Sequence, residues 1–422
     1  MMNSSTLIFN ERKGAWKILL PWNHSLIFLN GTDNNINLAL SRNYKLSDSE
    51  EENDFSVTYK ITRNNRIEIC YGPASEEYKR TEMYYSIPQV YTPKLYLSLC
   101  SRSVFQKGLT YHTPGSFLGK TYLRLLYMLS YFAFPYLKSK ANVIISSVHI
   151  NWNGLYEKVS ELLPEYSSVA GINIYNGSKA QNNKMTCQVI FQNEKEIIAK
   201  IADTKEGKDV LENETMILKT LENTKLKDRI PYLLSHKDFD DYYIQMQSKC
   251  VFNGKHPHNR MSKIVLHFLA DMKELFKGES SGNAYVDAIN NSSSYPPEIL
   301  ELCEKCRTIP LLKTSLCHGD FAPWNIYEKK SQIFVFDWED SSISTEPSGI
   351  DLFHYLYRSQ VLLCQWMGWD KFSVSMQYYC KQIGYENSWV DICRIGVLRE
   401  FLKSGMTQPL KDCLTNLNRV HI

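Results

Sequence analysis

Between Cys317 and Glu339 the chain sets an acid, an amide and a second acid at fixed intervals around one short apolar run. The segment reads Cys317-His318-Gly319-Asp320-Phe321-Ala322-Pro323-Trp324-Asn325-Ile326, and then Ile333-Phe334-Val335-Phe336-Asp337-Trp338-Glu339. A loop as short as Asp320 to Asn325 can aim one carboxylate at a reacting group and one amide oxygen at a metal ion. Ile333 to Phe336 reads as a buried strand that delivers Asp337, and a strand ending in a carboxylate is a rigid mount for a second oxygen ligand. His318 reads as a residue that shapes the loop from the core rather than a proton carrier.

The rest of the chain is organised in three parts. Residues 1–165 hold strand-like runs such as Trp16 to Leu20 and Phe55 to Tyr59, an exposed acidic stretch from Ser47 to Asp54, and a helical stretch over Gly119 to Lys138. No repeat or catalytic constellation stands out there, and the region is expected to be a separate mixed α/β domain. Residues 166–250 read as a β-rich lobe. Met185 to Phe191 and Ile197 to Ile201 are strands around a turn at Gln192-Asn193-Glu194, Asp209 to Leu221 is a helix, and Tyr242 to Gln247 is a further strand. Residues 251–422 read as a largely helical lobe. Arg260 to Phe276 is helical, Gly278 to Ser294 is a Ser/Asn/Gly-rich linker, and Pro296-Pro297 opens another helix.

Bulk composition excludes several classes. Hydrophobic residues make up 43% and charged residues 22%, enough for a large core and against wholesale disorder. Net charge is only +3, from 48 basic and 45 acidic residues, so no nucleic-acid partner is expected. The start Met1 to Thr6 lacks a basic segment followed by an apolar run. A cytoplasmic protein with its 11 cysteines reduced is expected. The single CxxC, Cys303 to Cys306, has no second pair and reads as two helix positions. Leu125 to Leu137 is apolar but too short to span a bilayer and is interrupted by Pro135. It leaves interfacial membrane contact open.

From Val169 onward the chain resembles the aminoglycoside phosphotransferase and choline kinase superfamily, marked by H-G-D-x-x-x-x-N and an Asp at the end of a strand. Asp320 and Asn325 stand at the interval found in the catalytic loop of protein kinases. The resemblance implies a bilobal α+β kinase-like fold, ATP and Mg²⁺ as cofactors, and transfer of the γ-phosphate to a small-molecule hydroxyl. On that reading Asp320 is the catalytic base or orients the acceptor, and Asn325 and Asp337 hold the metal. Lys200, in Ile197-Ile198-Ala199-Lys200-Ile201, matches the phosphate-binding lysine, and Glu214 its helix partner, with Glu212 a competing candidate that fits the family's spacing to the apolar run less well. Met246, in Tyr243-Ile244-Gln245-Met246-Gln247, lies on the strand leading to the hinge beside adenine. Gly177 and Ser178, in Tyr175-Asn176-Gly177-Ser178-Lys179, are the candidate phosphate-covering loop, although this is not G-x-G-x-x-G. Asp351, in Gly349-Ile350-Asp351-Leu352, matches a further acid that bonds the catalytic loop.

The wording HGDFAPWN…FDWE…DLFHYL is similar to a bacterial branch associated with surface polysaccharides, which implies a sugar or glycan-intermediate acceptor and admits a peripheral membrane or glycan-synthesis partner. Three alternatives stay open: a choline or amino-alcohol kinase, an aminoglycoside kinase, and a catalytically silent nucleotide-binding scaffold. The amino-alcohol reading would use Trp324, Trp338, Tyr355, Tyr357, Trp366 and Trp369 as an aromatic box. Neither the acceptor, nor ATP against GTP, nor the oligomeric state can be read from the sequence.

Overall fold

In the computed structural model the described residues are the strands within 26–87, then 95–111, 117–141, 143–147, 154–176, 184–239 and 242–419, the last with short breaks at 251, 253, 258–260, 290–294, 363 and 386–387. Trp16 to Leu20 and residues 48–54 lie outside them. The class is mixed α+β, as the sequence implies, and the chain divides into two units. One is Met1–Leu211 with Leu233–Lys249, the other Glu212–Tyr232 with Cys250–Ile422.

The first unit is built on a sheet. It contains β1 (Leu26–Asn30), β2 (Lys45–Ser47), β3 (Ser56–Ile61), β4 (Ile67–Tyr71), β5 (Arg80–Ile87), β6 (Leu95–Ser98), helices α1 (Arg102–Tyr111) and α2 (Phe117–Ser139), β7 (Val143–Ser147) and α3 (Gly154–Leu162). There follow β8 (Val169–Asn176), β9 (Lys184–Phe191), β10 (Glu196–Ala202), the start of α4 (Lys205–Leu221), β11 (Leu233–Phe239) and β12 (Tyr242–Ser248). The strands form one 12-stranded sheet in the order β11-β12-β10-β9-β8-β6-β5-β7-β4-β3-β1-β2. β9 and β10 form where the sequence alternates least, because nearly all their residues are buried. Their turn uses Glu194 at φ 64°, and the Glu194 N–H donates to the Phe191 carbonyl at 2.9 Å.

The sheet runs unbroken across residue 165. β6 pairs antiparallel with β8, Leu95 opposite Tyr175 and Tyr96 opposite Ile174. A buried polar network crosses the same seam. Asn173 Oδ1 accepts the Ser98 N–H at 2.9 Å, and its Nδ2 donates to the Val104 carbonyl at 3.0 Å and to Gln188 Oε1 at 3.1 Å. Tyr175 Oη donates to the Gly108 carbonyl at 3.0 Å, and Gln188 Nε2 to Glu196 Oε2 at 2.7 Å. Each buried polar atom named here has a partner, which is the condition for such a network to stabilise rather than cost.

The second unit is largely helical. It holds α5 (Lys263–Lys273), β13 (Gly278–Ser280), α6 (Gly282–Ile289), α7 (Pro297–Arg307), β14 (Leu312–Thr314), β15 (Ile326–Lys329), β16 (Gln332–Val335), α8 (Ile350–Leu362), α9 (Trp369–Gln382), α10 (Trp389–Ser404) and α11 (Gln408–Leu417). α10 packs against α7, α8 and α11. The linker expected over Gly278 to Ser294 is instead structured up to Ile289. β13 pairs with β14, and α6 buries Tyr285 and Val286. A Cβ at Gly282 would stand 1.8 Å from the Cys306 carbonyl oxygen, so the glycine that suggested a loop is there to let α6 approach α7. α7 does begin at the paired prolines, and it buries Cys303 and Cys306.

Candidate active site

The segment singled out from the sequence forms a loop and a hairpin in the helical unit. β15 and β16 pair antiparallel with Ile326 opposite Val335 and Lys329 opposite Gln332, closing on a two-residue turn whose Lys330 takes φ 53°. One step beyond the ladder, the Phe336 N–H donates to the Asn325 carbonyl at 3.0 Å. Hairpin register therefore sets Asn325 beside the residue that precedes Asp337. Asp337 itself adopts φ 70°, a left-handed conformation that costs a non-glycine residue of order 1 kcal/mol or more.

The loop is held from behind. Asp351 is buried at the start of α8, and its Oδ2 and Oδ1 accept the His318 and Gly319 N–H groups at 2.7 and 3.0 Å. Charge-assisted bonds of this kind are worth about 1.5–3 kcal/mol each. Gly319 sits at φ +84°, and a Cβ there would lie 2.0 Å from the Asp340 carbonyl oxygen. Only glycine lets the loop cross that close. His318 is fully buried, and its Nε2 meets the Phe336 carbonyl at 3.1 Å. Its Nδ1 accepts the Asp320 N–H at 3.3 Å, which requires a neutral ring with the proton on Nε2. Burial also pushes its pKa below the ordinary value, against the pull of Asp351 and Asp320. The loop-shaping role read from the sequence is what the geometry has.

Asp320 is gripped from two sides. Asn325 Nδ2 donates to Asp320 Oδ2 and to the Asp320 carbonyl, both at 2.9 Å, which leaves the amide oxygen of Asn325 as its metal-competent atom. On the other side stands His354, one helical turn after Asp351 on α8. Its Nε2 lies 2.8 Å from Asp320 Oδ1 and its Nδ1 2.7 Å from Glu400 Oε1. Both ring nitrogens face carboxylate oxygens, so both carry protons and the ring is an imidazolium. Burial opposes that charge, but the bonds to Asp320 and Glu400 win, and the His354 pKa is raised. Arg358 Nε closes the far side of Glu400 at 2.9 Å, and Lys403 Nζ lies 2.7 Å from Asp340 and 3.8 Å from Asp320. The result is a chain of alternating charge, Asp340–Lys403–Asp320–His354–Glu400–Arg358. Burial alone would raise the Asp320 pKa, but the His354 bond and charge, with Lys403, outweigh it and hold the carboxyl far below the usual range.

The remaining candidates are distributed between the units. Glu214 is fully buried in the helical unit, where its Oε1 accepts the Trp338 N–H at 3.1 Å, one residue from Asp337. Asn213 Nδ2 donates to the Glu339 and Ser341 carbonyls, both at 2.9 Å. Lys200 on β10 and Met246 on β12 are buried in the sheet unit. Gly177 and Ser178 lie outside the described residues. The aromatic residues offered as a box are mostly core: Trp338, Tyr355, Tyr357 and Trp369 are buried, and Trp338 packs on His318 and Phe268. A cavity of about 910 Å³ opens between α5 and the β15–β16 hairpin, lined by Arg229, Lys255, His256 and Lys263 among others. None of Asp320, Asn325 and Asp337 lines it.

His354, Glu400 and Lys403 are the residues that sequence reasoning missed. A signal existed for the first. Asp351 and His354 stand three apart on one helix face, so an acid that reaches the loop brings the histidine with it.

No protein-family model matches the chain, and no curated protein does so. Solved structures similar to it include small-molecule phosphotransferases. A spectinomycin phosphotransferase in complex with ADP and spectinomycin matches at 13% identity and TM-score 0.39, over 63% of this chain and 92% of that one. A macrolide 2'-phosphotransferase from Brachybacterium faecium, an apoenzyme, matches at 12% identity and TM-score 0.36, over 64% and 99%. An aminoglycoside phosphotransferase from Alicyclobacillus acidocaldarius matches at 11% identity and TM-score 0.33, over 62% and 91%.

Proposed function

We propose that the chain is a kinase-like phosphotransferase that moves the γ-phosphate of ATP to a hydroxyl of a small molecule, with a sugar or glycan intermediate as the leading acceptor class. The observation that carries this is the grip on Asp320, fixed by Asn325 on one carboxylate oxygen and by His354 on the other. A carboxylate held so far below neutral pH is a weak base. It suits orienting an acceptor hydroxyl and accepting its proton only as the oxygen bonds to phosphorus, as a loose transition state requires.

The oxygen donors fit Mg²⁺. Asn325 and Asp337 offer two hard ligands on adjacent backbone, and magnesium commonly takes one or two protein oxygens and completes its shell with phosphates and water. Among the described residues no group of three or more His, Cys, Asp or Glu forms a metal cage. When bound, the ion would neutralise charge on the phosphates. Lys200, Glu214 and Met246 are assigned to ATP from the sequence, and the division of the chain at about residue 165 is likewise our proposal, as a change of role along one continuous sheet. The amino-alcohol reading loses its support, because the aromatic residues it needs are largely core.

The test is Mg²⁺-dependent ATP consumption by the full chain against sugars, nucleotide sugars, amino alcohols and aminoglycosides, beside Lys200→Met. Turnover with one acceptor class and weakened ATP binding in the variant support the reading. ATP binding without transfer to any acceptor would favour the silent scaffold. Failure to bind ATP or GTP would overturn both.

A further inference from the structure

Helix α2 has a second apolar side that is exposed among the described residues. Its inward side is Leu123, Leu126, Phe134 and Leu137, which join Phe105 and Leu109 of α1 and Tyr85 of β5 in one core cluster. Away from that side stand Leu118, Leu125, Leu129 and Phe132, exposed by 79, 60, 37 and 88%, with Tyr122 at their edge, 41% exposed and its hydroxyl 3.1 Å from that of Tyr85. Their spacing of three and four residues gathers them into an arc of roughly 80° at 100° per residue. The stripe ends at a kink, where Ala133 leaves helical geometry two residues before Pro135.

Charge on this helix is of one sign. Residues 117–139 include Lys120, Arg124 and Lys138 and no acid, and Lys140 follows directly. At the same 100° per residue Arg124 stands about 80° and Lys120 about 120° beyond the Phe132 edge of the stripe, toward the polar side of the helix, from where long cationic stems can reach back toward a polar layer. Tyr136, half exposed beyond the kink, adds an amphipathic ring of the kind enriched at membrane interfaces. No helix among the described residues is long and apolar enough to cross a membrane.

We propose that α2 docks the protein on an anionic lipid surface, lying in the interface with Leu118, Leu125, Leu129 and Phe132 inserted and its cations against lipid phosphates. A second copy of the chain is the weaker occupant. A two-fold contact would set the same acid-free, cationic helix against itself.

The test is co-sedimentation of the full chain, without nucleotide, with equimolar phosphatidylglycerol–phosphatidylcholine vesicles and with pure phosphatidylcholine. Because it needs no ATP, it stands or falls apart from the kinase reading. We expect binding to the anionic vesicles that weakens in high salt. It should weaken at least about tenfold in Leu125→Glu with Phe132→Glu, and less in Lys120→Ala with Arg124→Ala. The exposed positions leave the melting temperature unchanged. A Leu125→Cys variant should react with a maleimide without vesicles and be shielded by anionic ones. The proposal is overturned by absent binding, by equal binding to both vesicle types, or by binding indifferent to the substitutions. It is also overturned by a concentration-dependent dimer that the Glu variants abolish, which would give the face to a second copy. A Leu125→Cys variant whose new thiol is unreactive without vesicles would overturn it too, by showing the chain's own residues covering the face.

Discussion

Each unit buries a chain of polar side chains, and the two chains differ in charge. In the sheet unit the network is mainly amides, hydroxyls and backbone, Asn173 to Gln188 to Tyr175, with ions only where Glu196 meets Lys107 and Lys249 at the edge. In the helical unit it is ionic throughout, Asp320 to His354 to Glu400 to Arg358. A neutral network fixes where strands and helices meet. An ionic one also fixes protonation, at the cost that each ion depends on its neighbours. The ionic network of the helical unit is thus where a change of one side chain should alter chemistry, and the neutral network of the sheet unit where it should alter stability alone.

The largest break expected in that contrast is Asp320→Asn, which should lower kcat by about 10²–10⁴ with the KM for ATP little changed. A loss under tenfold would remove Asp320 from the chemistry. Glu400→Ala should come next. It strands the charges of His354 and Arg358, and urea unfolding should register a loss of about 3–5 kcal/mol. Asn173→Leu tests the other side of the comparison. It orphans the Ser98 N–H and should cost about 1–3 kcal/mol while leaving kcat at the wild-type value. A fall in kcat there would mean the sheet network also positions chemistry.

His354→Gln should reduce kcat roughly tenfold, about 1.4 kcal/mol, without raising the KM for ATP. Its pH dependence has a definite sign. The folded-state pKa of His354 is raised above its ordinary 6.5, so the stability it adds is complete below pH 6.5 and is lost as pH rises through the folded value. The stability gap between wild type and His354→Gln should therefore narrow in alkali, and a gap that widens would refute the imidazolium. Burial would raise the pKa values of Asp320 and Glu400, but their partners lower both. Their contributions are present above the ordinary 3.8 and 4.5 and fade as pH falls through the folded values. The smallest effect belongs to Lys403→Met. Its pair with Asp340 is over a third exposed on the lysine side, so the change should cost under about 1 kcal/mol and vanish in high salt.

What could be read from the sequence follows how far apart the interacting residues stand. Asp320, Asn325 and Asp337 sit within one loop and hairpin, so their spacing alone carried their geometry. The strands of β9, β10 and β12 were legible because buried apolar runs announce themselves. Glu400 and Lys403 were not, because they come from α10, far along the chain from the loop, and no local pattern marks a glutamate that will be buried against a histidine. The region around Gly282 misled for a related reason. A glycine chosen for close packing looks the same as one chosen for a turn. The continuity of the sheet across residue 165 was equally hidden, since nothing near Leu95 or Tyr175 announces its partner.

The hairpin that joins Asn325 to Asp337 has an arithmetic consequence. Its two strands count residues away from one tight turn, so the alignment of the two oxygen donors is a matter of matched counting rather than of chain length. A paired addition, one residue on each strand, would keep the donors one residue out of step as they are while rotating both to the other face. Two residues on each strand would restore face and alignment together. Natural variation in this loop should thus come in steps of four or be confined to Lys330 and Ser331 at the tip, and an unpaired insertion anywhere else in the ladder should read as a lost enzyme in a well-folded protein.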